Sequence, residues 1–271
     1  MKKLFLMLFV ACGLAACSPA AEQSTASAAS TSSLLVYTVA TDATYPPFEF
    51  YDGRGNLIGL DIDLLNAIAQ DQGFQVRYYH HKWNGIFGQL KGNADIIASA
   101  IAVTEESKNA ADLSDEYYRS PYMVVSLLPD ALKQWKQQKI SAAHNEDTID
   151  DLKTEYQVAG QNILPADTVY LSLTNLLKKR ADVAVADATV VQYYINGATF
   201  ANYQFHTQPL HSANPETEKL VFAVAKGNTK LLAKINAGLA NMRKNGKLDE
   251  ILRRWRQNQR PAEQAMLQAP I

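Results

Sequence analysis

The repeated alternation of strand-like and helix-like stretches constrains the fold of this chain most. Residues 36–40 are rich in β-forming side chains, and an amphipathic stretch follows from Asp61, with Gly73 placed to close a helix. Further strands are predicted over residues 75–79, 96–98, 123–128, 169–171, 183–186 and 221–225. Further helices are predicted over residues 83–90, 172–180 and 229–244. Such alternation indicates an α/β protein with helices packed on mostly parallel sheets.

The first 16 residues have the order of a secretory signal peptide. Lysines at positions 2 and 3 precede an apolar run over residues 4–10, and small residues follow. This run is shorter than the about 20 residues that span a bilayer as a helix. Residues 14–17, Leu-Ala-Ala-Cys, resemble the lipobox of bacterial lipoproteins, in which cleavage precedes the cysteine and its thiol carries a diacylglycerol. An ordinary signal peptide with an incidental cysteine is the alternative.

Cleavage before Cys17 would leave a chain with no further cysteine, because the only other one, Cys12, lies in the signal peptide. Residues 17–33 are mostly Ser, Ala, Thr, Gln and Glu, and we expect a flexible linker there. Residues 259–271 are expected to form a polar C-terminal tail. We therefore expect an exported protein, anchored to the cell envelope through acyl chains such as palmitate on Cys17 and facing the periplasm or the outside.

Charge and motif content exclude several classes of protein. Removal of residues 1–16 takes away two of the 26 basic residues and none of the 27 acidic ones, so the formal net charge goes from −1 to −3. This charge gives no basis for binding nucleic acid. His80 and His81 are adjacent, so their side chains diverge on a strand, and His206 and His211 lack an obvious carboxylate partner at ligand spacing. We expect no metal ion, no cofactor and no nucleic-acid partner.

Seven sequence blocks follow one another between about residue 36 and residue 255. They lie at residues 41–50 (TDATYPPFEF), 59–64 (GLDIDL), 82–86 (KWNGI), 92–97 (GNADII), 113–118 (LSDEYY), 180–187 (RADVAVAD) and 246–251 (GKLDEI). In their order and spacing the chain resembles the amino-acid-type (type II, family 3) extracytoplasmic solute-binding proteins of ABC transporters.

The resemblance implies a fold of two α/β lobes joined by a two-strand hinge, with a ligand cleft between them. Lobe 1 is expected over residues 34–122 and 212–258, and lobe 2 over residues 123–211. The resemblance also implies a monomer that captures an amino acid or a related small polar amine by closure of the lobes. The protein would then deliver this ligand to an ABC permease without breaking a bond.

Three side chains are the main candidates for holding the ligand. Two prolines stiffen the loop after Tyr45, and Trp83 precedes a predicted short helix, so both rings are placed to stack on an apolar or cationic group. The resemblance implies that the Asp187 carboxylate accepts hydrogen bonds from a ligand ammonium. The alternatives are core packing for the two rings and a helix N-cap for Asp187.

Acidic and small residues complete the candidate set. Asp42 ends the first strand and is placed to meet a cationic group, whereas the role of Glu49 is ambiguous. The loop that follows the strand over residues 96–98 contributes Ser99, Ala100 and Ala102, which the resemblance implies as further ligand contacts.

Two departures from the family pattern concern the ligand carboxylate. The family loop ends in Thr-x-x-Arg, whose arginine clamps the α-carboxylate, but this chain has Ser107 at the arginine position. Lys108 is no equivalent, because an ammonium lacks the planar fork and one residue of helix turns it by roughly 100°. The family also has a strand and a Gly-Thr-Thr helix start in lobe 2, and residues 153–168 are predicted to be too short for that strand, loop and helix.

Three interpretations of these departures stay open. The ligand is an amine or another solute without an α-carboxylate; or the carboxylate is held by Ser107, loop amides or water; or lobe 2 is shortened and binds poorly. The second interpretation is preferred here. In every case we hypothesise that free α-amino acids bind more weakly than they do to family members that keep the arginine.

Two other functions remain as alternatives. The fold also resembles that of periplasmic cyclohexadienyl or arogenate dehydratases, with Glu49 or Asp187 as a general acid. The substrates of such enzymes are dianionic, however, and the clamping arginine is absent, so we expect no enzymatic activity. The other alternative is a surface lipoprotein antigen with degenerate binding, which surface exposure without a neighbouring permease gene would favour.

Overall fold

A computed structural model describes residues 34–143 and 146–257 of the chain. The predicted signal peptide (residues 1–16), the lipidation site Cys17, the linker (residues 17–33) and the C-terminal tail (residues 259–271) lie outside the described residues. Within the described part, no helix has the length and apolar character needed to cross a membrane.

Strands and helices alternate along the described chain. The strands are β1 (Leu35–Thr41), β2 (Thr44–Tyr45), β3 (Glu49–Tyr51), β4 (Leu57–Ile58), β5 (Phe74–His80), β6 (Ile96–Ala102), β7 (Asp112–Leu113), β8 (Tyr118–Arg119), β9 (Tyr122–Ser126), β10 (Ile140–Ala143), β11 (Ile163–Ala166), β12 (Val183–Asp187), β13 (His206–Leu210) and β14 (Lys219–Val224). The α-helices are α1 (Leu60–Gln72), α2 (Glu105–Ala110), α3 (Pro129–Lys133), α4 (Glu146–Thr154), α5 (Val169–Leu177), α6 (Ala188–Ile195), α7 (Thr229–Asn245) and α8 (Lys247–Gln257).

Two mixed sheets define a two-lobed α/β fold. The first has the order β5-β1-β6-β14-β7, with β8 also paired to β14, and the second has the order β11-β10-β12-β9-β13. Strands β5, β1 and β6 are parallel, as are β11, β10 and β12, whereas β14 and β9 run antiparallel to their neighbours. Helices α1 and α7 pack beside the first sheet and α5 packs on the second. The expected α/β fold class is thereby confirmed.

The chain changes sheet twice. It passes from β8 in the first sheet to β9 in the second, and it returns from β13 in the second sheet to β14 in the first. The residues between β8 and β9 are Ser120 and Pro121, and residues 211–218 lie between β13 and β14. Two such connections side by side are the arrangement in which lobes hinge about a cleft.

Helix α1 begins after a glycine that no other residue replaces without strain. Gly59 has a φ of 148°, and a Cβ there would lie 1.9 Å from the carbonyl oxygen of Phe48. The backbone N–H of Asp61 donates to that same carbonyl at 3.0 Å. This close approach fixes the start of α1 beside β3, the strand that begins at Glu49. The helix ends where it was predicted to end, with Gly73 in the left-handed conformation at φ 67°.

Residues 169–171 form the first turn of α5, so the strand predicted there is wrong. The Thr168 side chain accepts a hydrogen bond from the N–H of Leu171 and so caps the helix. Val169, Leu173 and Leu176 are buried at helical spacing along α5. The apolar residues at the start of α5 also fit the pattern of a short buried strand, and this is the source of the wrong prediction. The 3₁₀ helix Ile86–Lys91 likewise begins later than predicted, because Gly85 adopts φ 82° before it.

The second sheet bears on the third interpretation, in which lobe 2 is shortened. Strand β10 and helix α4 occur in this lobe and begin upstream of residues 153–168. Residues 153–168 contain instead the end of α4, a short 3₁₀ helix at Gly160–Asn162 and strand β11. Strand β11 pairs in parallel with β10 along its whole length. Lobe 2 therefore has a five-stranded sheet within the described residues. A truncated lobe is no longer a reason to expect weak binding.

Candidate ligand-binding site

A cavity of about 110 Å³ lies between the two sheets, with walls from both. Seven of the eight predicted ligand-binding residues line it; these are Asp42, Tyr45, Trp83, Ser99, Ala100, Ala102 and Asp187. They lie in β2, β6 and β12, directly after β1, and in the turn after β5. Because parallel strands end at the same edge of a sheet, residues distant in sequence meet here.

Ser107 is the predicted residue that the structure does not bring to the cavity. Its hydroxyl accepts from the N–H of Thr104 at 2.9 Å and donates to the carbonyl of Ala102 at 2.8 Å. The Thr104 hydroxyl in turn accepts from the N–H of Ser107, which completes a capping box at the start of α2. The Ser107 side chain is buried at 2 % exposure. At this position the serine therefore caps a helix, and this corrects its assignment as a ligand contact.

We expect Ser107→Ala to lower stability without changing ligand affinity. The substitution removes the Ser107 half of the capping box and leaves the Thr104 N–H with only the Ala102 carbonyl at 3.1 Å, at a cost of about 1 kcal/mol in the free energy of unfolding. Urea denaturation measures this cost, and calorimetric titration measures the affinity. A variant with wild-type stability and lost ligand binding would instead place Ser107 in the site.

Glu49 lies at the cavity wall and was left ambiguous by the sequence. Its side chain is 1 % exposed, and its Oε1 accepts a hydrogen bond from the Ser99 hydroxyl at 3.0 Å. Its Oε2 is buried and has no hydrogen-bond partner. Burial raises the pKa of Glu49 well above its ordinary value, and the carboxylates of Asp61, Asp42 and Asp187 add to this. The structure therefore adds Glu49 to the candidate site.

The small cavity residues expected in a loop lie in the second half of β6, and Asp61 fixes the backbone there. Its Oδ2 accepts from the N–H of Ala100 at 2.8 Å, and its Oδ1 accepts from the Tyr117 hydroxyl at 2.7 Å. Ala100 has a positive φ of 46°, a strained conformation for a residue with a Cβ. Burial raises the pKa of Asp61 to about 7. The Asp61 carboxyl group thus stabilises the unusual backbone conformation of Ala100 in β6, beside the cavity.

Asp187 combines the helix-capping role with a place in the cavity wall. Its Oδ1 accepts from the Ser120 hydroxyl at 2.7 Å and from the N–H groups of Thr189 at 2.8 Å and Val190 at 3.1 Å. Its Oδ2 takes part in none of these bonds. Burial raises the pKa of Asp187 to about 6, and the three hydrogen bonds act in the opposite direction. The helix-cap role is therefore observed for Oδ1, and the role of Asp187 in binding a ligand ammonium stays a prediction.

The two aromatic candidates are both partly buried beside the cavity. The ring of Tyr45 stacks on that of Phe48, with centroids 6.0 Å apart and planes inclined by 21°. The ring of Trp83 meets Phe87 edge-on at 6.3 Å. The backbone N–H of Trp83 donates to Asp42 Oδ2 at 3.1 Å, so this hydrogen bond ties an aromatic residue to a cavity carboxylate.

We expect Trp83→Ala to weaken binding of a cationic ligand by about 0.5–2 kcal/mol, the usual range for a cation–π contact. Trp83→Phe keeps a ring and should recover most of the loss. Calorimetric titration of both variants measures the difference. An unchanged affinity in Trp83→Ala would mean that stacking on Trp83 contributes nothing.

Carboxylates dominate the charge of the cavity. Six acidic residues line it, namely Asp42, Glu49, Asp151, Asp167, Asp187 and Glu218. Among the described lining residues there is no Lys, Arg or His. Three of the acids, Asp151, Asp167 and Glu218, were not predicted, because they come from loops and helix ends that nothing in the local sequence marks. Within the described residues, no group of three or more His, Cys, Asp or Glu side chains is arranged to hold a metal ion.

Comparison with known proteins identifies the class to which this fold and cavity belong. The sequence profile of the bacterial extracellular solute-binding proteins, family 3, matches residues 37–258. The chain belongs to this family.

Relatives and solved structures agree with this assignment. A probable histidine-binding protein of Neisseria gonorrhoeae is 28% identical over 227 residues, with 81% of this chain and 82% of that protein covered. An L-arginine-binding protein of Pseudomonas aeruginosa is 26% identical over 219 residues, covering 79% and 85%. An ancestral arginine-binding protein bound to arginine is 30% identical, with a TM-score of 0.70 and coverage of 81% and 97%. These relatives are binding proteins by name, and the chain has the corresponding substrate-binding role.

One further neighbour concerns the enzymatic alternative. An ancestral amino-acid-binding protein described as a precursor of cyclohexadienyl dehydratase is 28% identical, with a TM-score of 0.69 and coverage of 81% and 95%. Its description is that of a binding protein from which an enzyme arose. The likeness therefore does not favour an enzyme over a binding protein for this chain.

Proposed function

We propose that this chain is the extracytoplasmic substrate-binding lipoprotein of an ABC importer, which captures a cationic amino acid or a related small amine. Lobe 1 comprises residues 34–122 and 212–258, lobe 2 comprises residues 123–211, and closure of the lobes around the ligand precedes delivery to the permease. Cys17 carries the lipid anchor, the chain acts as a monomer, and no bond is broken.

The single observation that carries this proposal is the acidic, partly aromatic cavity between the two sheets. The unpartnered Oε2 of Glu49 and the carboxyl group of Asp187, whose three hydrogen bonds fall on Oδ1, are acceptors that suit an ammonium or guanidinium group. Tyr45 and Trp83 line the same cavity and offer π faces to such a cation. Two relatives are named for the binding of histidine and of arginine, which are amino acids with basic side chains.

A dehydratase acting on a dianionic acid is a poorer fit to this cavity. Two carboxylates on the substrate would meet six acidic lining residues without a basic side chain from the described residues. The Coulomb term alone opposes such binding, because each pair of like charges at about 4 Å costs about 4 kcal/mol at an effective dielectric constant of 20.

Calorimetric titration of the purified chain with cationic, neutral and acidic amino compounds tests the proposed function. We expect cationic compounds to bind, neutral ones to bind more weakly and glutamate or aspartate not to bind. If acidic compounds bind most tightly, or if the protein consumes prephenate, the proposal is wrong.

A matched test of the anchor is Cys17→Ala, which should abolish incorporation of labelled palmitate.

A further inference from the structure

The strongest unexplained feature of the cavity is an excess of carboxylates that no protein cation balances. Of the six acidic lining residues, only Glu218 has a basic partner among the described ion pairs, through His211 Nδ1 at 3.0 Å. None of the other five has a basic partner among the described ion pairs. A cationic ligand would give these carboxyl groups the positive partner that the described lining does not supply.

Glu49 supplies a second, independent observation. Its Oε2 is a buried acceptor without a hydrogen-bond partner, although its Oε1 is engaged by Ser99. A buried polar atom of this kind costs about 1–3 kcal/mol unless a donor meets it. Asp42 and Asp187 line the same cavity as Glu49. A group with several N–H donors and a positive charge satisfies all of these acceptors at once.

Three helix starts near the cavity are capped from within the protein. The N–H of Thr104, at the start of α2, donates to Ser107 Oγ. The N–H groups at the start of α6 donate to Asp187, and Thr168 caps α5. Capped helix starts of this kind offer fewer free N–H groups to an anion. The described lining thus presents six acidic side chains to a cation and no basic side chain to an α-carboxylate.

We propose that the cargo is a short alkyl amine or guanidine without a carboxylate group, a mono- or dication, rather than a free α-amino acid. This inference rests on the proposed function, because it names the ligand class of the same cavity. It supports the first of the three interpretations of the missing arginine over the second, in which Ser107, loop amides or water hold the carboxylate. Ser107 is engaged in its capping box, so it does not serve that role.

Matched ligand pairs that differ only in the carboxylate test this inference. The purified chain, as the cell produces it, is titrated with arginine and its decarboxylated form agmatine, with ornithine and 1,4-diaminobutane, and with histidine and histamine. We expect at least one amine to bind at least tenfold more tightly than its amino acid. If every amino acid binds as tightly as its amine or more tightly, the inference fails while the proposed function stands. If no member of any pair binds, both are wrong.

Glu49→Gln provides the variant that ties the preference to this cavity. Glutamine keeps an oxygen for the Ser99 hydroxyl and removes the negative charge, so the fold is retained. We expect the amine to lose at least tenfold in affinity, while Glu250→Gln, the same change on the exposed surface of α8, has no effect. Unchanged amine affinity in Glu49→Gln would show that the cation does not meet this carboxyl group.

Discussion

Replacing Asp187 by asparagine is expected to weaken binding of the cationic ligand about a hundredfold. The Oδ1 atom of Asp187 caps α6, and asparagine is as good an N-cap as aspartate, so the helix start survives. What disappears is the negative charge at the cavity wall, opposite the ligand cation. Loss of one partner from a buried charge pair costs about 2–5 kcal/mol in binding. Calorimetric titration with the tightest ligand of the wild-type protein measures this loss.

The control for this prediction is Asp130→Asn, the same chemical change at an exposed site on α3. Asp130 pairs with Lys133 at 2.8 Å on the protein surface, and neither residue lines the cavity. Exposed ion pairs of this kind contribute little to the free energy of unfolding. We expect its ligand affinity and stability to match those of the wild type. Should Asp187→Asn bind as tightly as this control, the carboxylate of Asp187 has only its helix-capping role.

The second large effect is a loss of stability of the ligand-free protein as the pH rises. Burial raises the pKa of Asp187 to about 6 and that of Asp61 to about 7, and it raises that of Glu49 as well. The unfolded chain releases these protons near pH 4, so the folded state binds more protons between about pH 4 and pH 7. The free energy of unfolding therefore falls as pH rises through this window, by on the order of 3 kcal/mol for Asp187 alone.

Urea denaturation between pH 5 and pH 8 measures this slope. This range lies above the titration of surface carboxylates such as Asp130 and Glu250, whose pKa values are lowered by neighbouring lysines. Asp187→Asn should reduce the slope and should be at least as stable as the wild type at pH 7.5, because it removes a buried charge. A stability that is constant or rises from pH 5 to pH 8 would contradict the assignment of these carboxyl groups as buried and protonated.

The bound cation should reverse this dependence. Each carboxylate that ionises gains a positive partner, so ligand affinity is expected to rise over the same range in which the free protein loses stability. The ligand also binds only the folded state, so saturating amounts raise the free energy of unfolding further. The acidic groups that line the cavity have no cationic partner in the described lining, and this is the source of the affinity for a cation.

Elements with clear boundaries could be predicted from the sequence. The stretch after Asp61 has apolar residues at helical spacing and a glycine that adopts the left-handed conformation, and it forms α1 as expected. Residues 169–171 could not be assigned correctly, because three consecutive residues with apolar or aromatic side chains fit a strand and a helix start equally well. The Thr168 cap decides between them, and it acts through a hydrogen bond that the apolar pattern does not show.

The candidate site was predictable where a residue's position follows from the sequence blocks. Four candidates at or shortly after strand ends do line the cavity, namely Asp42, Tyr45, Trp83 and Asp187. The role of Ser107 was not predictable, since its capping box depends on the geometry of the turn before α2. Acids such as Asp151 and Glu218 reach the cavity only through the packing of the two sheets, which no local pattern specifies.

Recovery of the natural ligand tests the central claim most directly. The chain is purified from the cells that produce it, denatured, and the released small molecules are identified by mass spectrometry, with Asp187→Asn treated in parallel. We predict that the wild-type protein releases a small organic cation close to one per chain, chemically unchanged, and that the variant releases little of it. An anionic or uncharged molecule released equally by both proteins would contradict the account.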